Sequence, residues 1–207
     1  MRRFAIVGRR ARGAPDFLLE DVPGTAGRLD VLLRAMRAAL LVSHGLRHDV
    51  IVYLALLGGD PARTLRVRGA DVRFLRPDER SLAILVQKCL RLGAGATESA
   101  FQEVKPGIAI ATGGVDAILA DAPEASPFVL DDGGVDVRGA DLGAGEDRLF
   151  FLGDHLGLAP DVVLRLAAIG APTLSVGPVR VQADDAVAIL SNELDRRTWP
   201  RSGPGRG

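Results

Sequence analysis

Two short segments combine arginine with carboxylate at a spacing suited to proton chemistry on a planar or phosphate-bearing ligand. Gly27-Arg28-Leu29-Asp30 sets the guanidinium and the acid two residues apart in the first turn of a helix. Arg76-Pro77-Asp78-Glu79-Arg80 repeats the theme, with acids in a first turn and arginines on either side. A guanidinium grips a base edge or a phosphate through parallel N–H donors, and a nearby carboxylate can orient a proton or accept it. Asp78, Asp30, Arg28 and Arg80 are therefore singled out. Helix capping is the competing reading, because acids stabilise a helix N-terminus by about 0.3–1 kcal/mol. Arginine in a first turn opposes the dipole, however, and capping does not explain why it occurs twice.

Glycine marks the second kind of candidate chemistry. Phe150–Asp161 (FFLGDHLGLAPD) is an apolar run that stops at Gly153, turns through Asp154 and His155, and reaches a helix start at Pro160-Asp161. Pro172–Ser175 is followed in the same way by Val176-Gly177-Pro178 and then a helix at Asp184–Leu194. Strands that end in glycine deliver bare backbone to a ligand, so the end of the chain reads as one site built mostly from main chain. His155 either touches that ligand or fixes the turn. Neither GxGxxG, a P-loop nor a nucleophile elbow is present. The three histidines stand apart with no cysteine partners, so no metal site is expected. Cys89 lies in an apolar helix (LAILVQKCLRL) and reads as core. His44 and His48 follow a helix end and read as surface or capping groups.

The elements that must position these residues alternate along the chain. Arg3–Val7 is predicted as a strand and Gly8–Pro15 as an exposed basic loop. Val22–Thr25 is predicted as a turn, with Thr25 the N-cap of a helix that carries Leu29, Leu32, Leu33, Met36, Leu40 and Val42 to Ser43. Val50–Leu57 is a continuous apolar run bounded by Gly58-Gly59, the pattern of a buried strand. Thr64–Val67 and Val72–Leu75 read as a hairpin, and Pro77 opens a helix through Leu92, closed by Gly93. In the second half the expected order is strand Gly107–Ile110, helix Val115–Ala120, strand Phe128–Leu130 and an irregular Gly133–Gly145. Strand Arg148–Leu152, helix Asp161–Ile169, strand Thr173–Val176 and helix Asp184–Leu194 follow. Strands separated by helices argue for an α/β fold with a mainly parallel sheet, whose ligands sit beyond the carboxyl ends of the strands. Arg201–Gly207 reads as a flexible tail.

Composition sets the class. The chain has 207 residues, 47% hydrophobic and 25% charged, as for an ordinary globular domain. One cysteine rules out an internal disulfide and fits a reducing cytoplasm. No apolar run approaches the ~18 residues of a spanning helix, and Phe4–Val7 is too short for the core of a signal peptide. A net charge of zero conceals an asymmetry: residues 1–100 hold 17 cations against 10 acids, and residues 101–207 hold 9 against 16. Arginine enrichment is also what a GC-rich genome produces. The functional reading is an N-terminal half that faces a polyanion such as RNA phosphate.

Taken in order, the motifs resemble the SPOUT-class tRNA pseudouridine-54 N1-methyltransferase family (TrmY type). The resemblance rests on Pro23-Gly24-Thr25-Ala26-Gly27-Arg28-Leu29-Asp30, Pro77-Asp78-Glu79-Arg80, Pro106-Gly107-Ile108 and Gly153-Asp154-His155-Leu156-Gly157. Leu174-Ser175-Val176-Gly177-Pro178 and Asn192-Glu193-Leu194-Asp195 complete it, so that it runs from Pro23 to Arg196. It implies a single SPOUT domain over residues 1–200, with a C-terminal trefoil knot that no strand count predicts, and a cytoplasmic homodimer. It implies S-adenosylmethionine as cofactor, held by Leu130, Gly153, Val176, Gly177, Pro178, Val179, Arg180 and Val181. The catalytic role given to Asp78, Asp30, Arg28 and Arg80 likewise rests on this resemblance. Archaeal members carry a cysteine where this chain has Ala186. The implied activity is methyl transfer to N1 of pseudouridine in RNA, with tRNA as the expected partner and neither membrane nor metal involved. The alternatives are the same chemistry on another RNA such as ribosomal RNA, or a non-catalytic RNA- or nucleotide-binding SPOUT protein.

Overall fold

A computed structural model describes residues 1–96, 99–143 and 147–198; the expected tail at 201–207 lies outside them. The chain runs β1 (Arg2–Gly8), α1 (Val22–Thr25), α2 (Leu29–Leu40), β2 (Leu41–Val42), β3 (Gly45–Leu46), β4 (Val50–Leu56), β5 (Arg63–Arg68) and α3 (Glu79–Leu92). It continues through β6 (Gln102–Lys105), β7 (Ile108–Thr112), α4 (Val115–Asp121), β8 (Ser126–Asp136), β9 (Arg148–Gly153), α5 (Pro160–Ala168), β10 (Thr173–Ser175) and α6 (Ala183–Thr198). Eight strands form one sheet in the order β10-β8-β9-β1-β4-β5-β7-β6. Those from β10 to β4 are parallel, and β5, β7 and β6 extend the sheet antiparallel.

Helices cover both faces, which is why the central strands read as unbroken apolar runs. All seven residues of β4 are buried. Alternate residues of β1 serve opposite layers: Phe4 and Ile6 pack with α2, α3 and α6, and Ala5 and Val7 pack with α4 and α5. Phe150 of β9 lies against Phe4 and Phe128, with ring centroids 5.8 and 5.3 Å apart. Cys89 is buried in the first layer, and desolvation pushes its thiol up to about 11, so it packs as an inert small hydrophobe.

Several local expectations are corrected. The partner of β5 is β4, not Val72–Leu75: Val50–Leu56 and Arg63–Arg68 pair antiparallel, and β5 then pairs with β7. Val72 and Leu75 are buried as an irregular segment, because the edge they would have taken belongs to β7. Thr25 is not an N-cap. Asp21 caps the single-turn α1, accepting from the Gly24 N–H at 3.0 Å, and Thr25 closes that turn. Helix α2 stops at Leu40, and Leu41–Val42 turn back on Gly45–Leu46 as a small hairpin that leaves His44 exposed. Strand β8 runs to Asp136, into the stretch expected to be irregular, because β10 supplies its partner.

Arginine pairs tie the terminal helix to the sheet. The Asp195 carboxylate on α6 accepts from Arg2 at 2.6 Å and from Arg47 at 3.0 and 2.7 Å. Burial pushes this carboxyl up, but the two guanidiniums outweigh it and hold it below its ordinary range. Its contribution is thus present at neutral pH and is lost as pH falls through the carboxylate range. Asp195→Asn should lower stability by about 1–2 kcal/mol at pH 7, discounted for partial exposure. Urea unfolding at pH 7 and pH 3.5 should show a smaller gap between variant and parent at the lower pH.

Candidate active site

The second half of β8 and the loops that leave the carboxyl ends of β9 and β10 enclose a cleft of about 910 Å³. Its walls are Leu130–Gly133, Gly153–Leu158, and Ser175–Gly177 continuing through Val179–Ala183, with Arg28, Val31 and Arg34 of the α2 region opposite. The size lies within the range of small-molecule sites.

Asp154 fixes the middle loop. Its buried carboxylate accepts from the Arg9 N–H at 3.0 Å and from the Leu156 N–H at 2.8 Å, and so joins the loop after β9 to the loop after β1. The turn closes with the Gly157 N–H donating to the Asp154 carbonyl at 2.9 Å. Gly153 is required there, because a Cβ would lie 2.2 Å from the Gly157 carbonyl carbon. His155 lines the cleft with its Nδ1 3.8 Å from Asp154. In the last loop the Ser175 hydroxyl donates to the Gly177 carbonyl at 2.8 Å, which shapes the turn from its own side chain.

The arginine wall is organised by one acid. Asp30 is 3% exposed and accepts from Arg28 at 3.0 and 3.2 Å and from Arg34 at 2.9 Å. Burial pushes its carboxyl up, but the bonds from both guanidiniums bring it below its ordinary value, so it stays ionised. Arg28 sits in left-handed backbone (φ 66), a conformation non-glycine residues adopt at some cost. Arg34 also approaches Glu79 at 3.6 Å and Asp184 at 3.9 Å, linking the starts of α3 and α6 to the cleft. Asp184 Oδ1 is buried with no hydrogen-bond partner among the described residues, and Asp184 does not line the cleft.

The two arginine–acid segments therefore divide. Asp30 caps nothing: it holds Arg28 and Arg34 at the cleft. Asp78 is the N-cap of α3, accepting from the Ser81 N–H at 2.8 Å, a bond that holds its carboxyl below the usual carboxylate range, and it does not line the cleft. Arg80 is directed to the Leu19 carbonyl and the Glu20 carboxylate at 3.4 and 3.3 Å, also away from the lining. Of the expected cofactor group, Leu130, Gly153, Val176, Gly177, Val179, Arg180 and Val181 line the cleft, and Pro178 is the one that does not. Arg180 is engaged by Asp132 at 2.9 and 3.0 Å. Sequence reasoning missed Arg34, whose only sign was its position four residues after Asp30 on one helix face. It also missed Asp131, Asp132 and Gly133, which line the cleft from β8.

The architecture is that of a SPOUT-type α/β protein. Nep1 of Archaeoglobus fulgidus, solved bound to S-adenosylhomocysteine, superposes with a TM-score of 0.65 over 94% of this chain and 97% of that chain, at 14% identity. At that identity the likeness speaks for the fold. A family profile described as "Putative SAM-dependent RNA methyltransferase" matches residues 1–199. The tRNA (pseudouridine(54)-N(1))-methyltransferase of Methanosarcina acetivorans is 39% identical over 197 residues, covering 95% of this chain and 92% of the relative. The enzyme of the same name from Methanocorpusculum labreanum is 40% identical over 202 residues, covering 95% and 98%. The chain belongs to this methyltransferase family.

Gly153→Ala should force the loop after β9 off its present path and cost about 1–3 kcal/mol. A lowered midpoint in thermal unfolding is the expected result; an unchanged midpoint would mean the loop relaxes freely.

Proposed function

We propose that this protein is an S-adenosylmethionine-dependent RNA methyltransferase that methylates N1 of pseudouridine, with the T-loop of tRNA (position 54) as substrate. The observation that carries the reading is the meeting of the second half of β8, two glycine-bearing loops and the Arg28–Asp30–Arg34 group in one cleft. The relatives of that name, matched over nearly their whole length, support the same assignment.

The cleft suits the cofactor. Main-chain N–H and C=O groups of the Gly153 and Val176–Val181 loops can read an adenine edge, and Leu130, Val176 and Val179 give apolar cover. When bound, the cofactor would supply an electrophilic methyl group from its sulfonium and leave as the neutral thioether, its S–CH3 bond broken. On the nucleobase, the bond formed is N1–CH3 and the bond broken is N1–H. Only pseudouridine offers that atom, because uridine uses it for the glycosidic bond. Arg28 and Arg34 hold the base or its phosphate, and their charge favours the anion that develops as N1 loses its proton. Asp30 orients the two guanidiniums. Asp78 and Arg80, next to Glu79, contact the RNA that flanks the target, and the N1 proton passes to solvent. A nucleotide in a loop is flipped at little cost because it leaves no duplex stack.

We further propose one SPOUT domain over residues 1–200, acting in the cytoplasm as a homodimer with a C-terminal trefoil knot. A register jump supports the knot: Thr173 stands opposite Val129, yet Leu174 stands opposite Val135. The chain also passes so close that a Cβ on Gly134 would lie 2.5 Å from the Leu174 carbonyl carbon. Exposed Leu164 and Ile169, at 71% and 41%, leave apolar surface for a second copy to cover. Among the described residues no helix is long and apolar enough to cross a membrane, and no group of three metal-ligating side chains occurs.

Incubation with cofactor and a pseudouridine-bearing T-arm stem-loop should yield N1-methylpseudouridine by nucleoside mass spectrometry. Arg28→Ala and Asp78→Ala should each lower kcat/KM tenfold or more, about 1.4 kcal/mol, while calorimetry shows cofactor binding intact. Unchanged turnover in both variants would refute the residue assignment. Methylation of ribosomal RNA fragments alone would move the substrate, and no cofactor binding would favour a non-catalytic role.

A further inference from the structure

A second groove, about 490 Å³, lies outside the cleft, between α3 and the segments Arg73–Arg76 and Lys105–Ile108. Arg73, Arg76, Lys88 and Lys105 line it, and these include both lysines of the chain. Among the described residues Arg73, Lys88 and Lys105 form no ion pair. Asp78, at the head of α3, is within electrostatic reach of Arg76 and offsets it in part. Glu103 on β6 is turned to the Gly107 N–H at 3.3 Å.

Phe74 stands at the same groove and is 96% exposed. Its backbone is left-handed (φ 60), an outlier for an aromatic residue. Nothing in the fold benefits from an aromatic ring held in water by strained backbone. Such strain persists where the side chain is presented to a ligand.

We propose that this groove is a second RNA contact, in which Phe74 stacks on an unpaired base and Arg73, Arg76, Lys88 and Lys105 take the flanking phosphates. The inference rests on the functional reading above, since the RNA is the one whose nucleoside enters the cleft. Unpaired cations around one exposed ring match a single-stranded polyanion with aromatic faces. The groove also accounts for part of the basic excess of the N-terminal half. Its helix joins it to the cleft: Glu79 on α3 reaches Arg34 at 3.6 Å, and Lys88 stands about 13 Å further along that helix. One RNA can therefore lie on both.

The test uses the full chain and a whole tRNA transcript carrying pseudouridine in its T-loop. Phe74→Ala should weaken tRNA binding about tenfold, leave the cofactor Kd and thermal unfolding unchanged, and be rescued by Phe74→Trp. Arg73→Gln with Lys88→Gln should weaken binding and flatten the slope of log Kd against log salt by about 1.5. Unchanged tRNA affinity and slope in both variants, in a parent that binds and methylates tRNA, would overturn the groove alone. Groove-dependent binding by a parent that never methylates RNA would support the groove and sink the catalytic reading. A change of oligomeric mass in Phe74→Ala with tRNA affinity intact would assign the groove to a second copy and overturn the proposal.

Discussion

Parallel strands cannot be joined by tight hairpins, so each must leave the sheet at its carboxyl end and return over a face. In this protein the rule places the ends of β8, β9 and β10 next to one another and next to the end of β1. The loops there have no strand partner for their backbone. They meet that need locally, through Asp154 bridging two loops and Ser175 folding back on Gly177. What remains is a concave surface of free main-chain groups, and the cleft is its direct consequence.

The opposite wall is electrostatic. Asp30 is buried beside the cleft, a position that would be costly for an unpaired carboxylate. Two guanidiniums offset that cost, and in doing so they are fixed at the cleft with donors to spare. The same economy recurs at Asp195, where two arginines hold α6 against the sheet. Arginine suits both places because its planar fork binds an acid and remains charged. A site made this way presents positive charge toward a base or phosphate without exposing a labile acid.

Much of this was legible in order along the chain. The runs at β1, β4 and β9, the helix from Leu29 and the glycine stops at Gly153 and Gly177 all declare themselves by periodicity and punctuation. The two Arg–Asp segments looked alike and are not. Asp78 caps a helix, as local preference allows, whereas Asp30 is drawn inward because Arg34 lies one helical turn ahead of it. The hairpin assigned to Val72–Leu75 failed because β4 and β7 compete for β5 and win through longer pairing. The short β6 has two exposed residues among its four and no apolar alternation to announce it.

By itself the amino-acid sequence determined the alternation of strands and helices, the apolar faces that make three layers, and the glycines at which backbone is laid bare. These are local properties, set by side-chain volume, periodicity and φ/ψ preference. Only the tertiary structure decided which strands are neighbours and which distant side chains lock the loops and the last helix to the sheet. Those outcomes depend on contacts between residues more than a hundred positions apart, such as Arg9 with Asp154 and Arg47 with Asp195. No local pattern encodes a pairing of that range, because its free energy exists only once the sheet has brought the partners together.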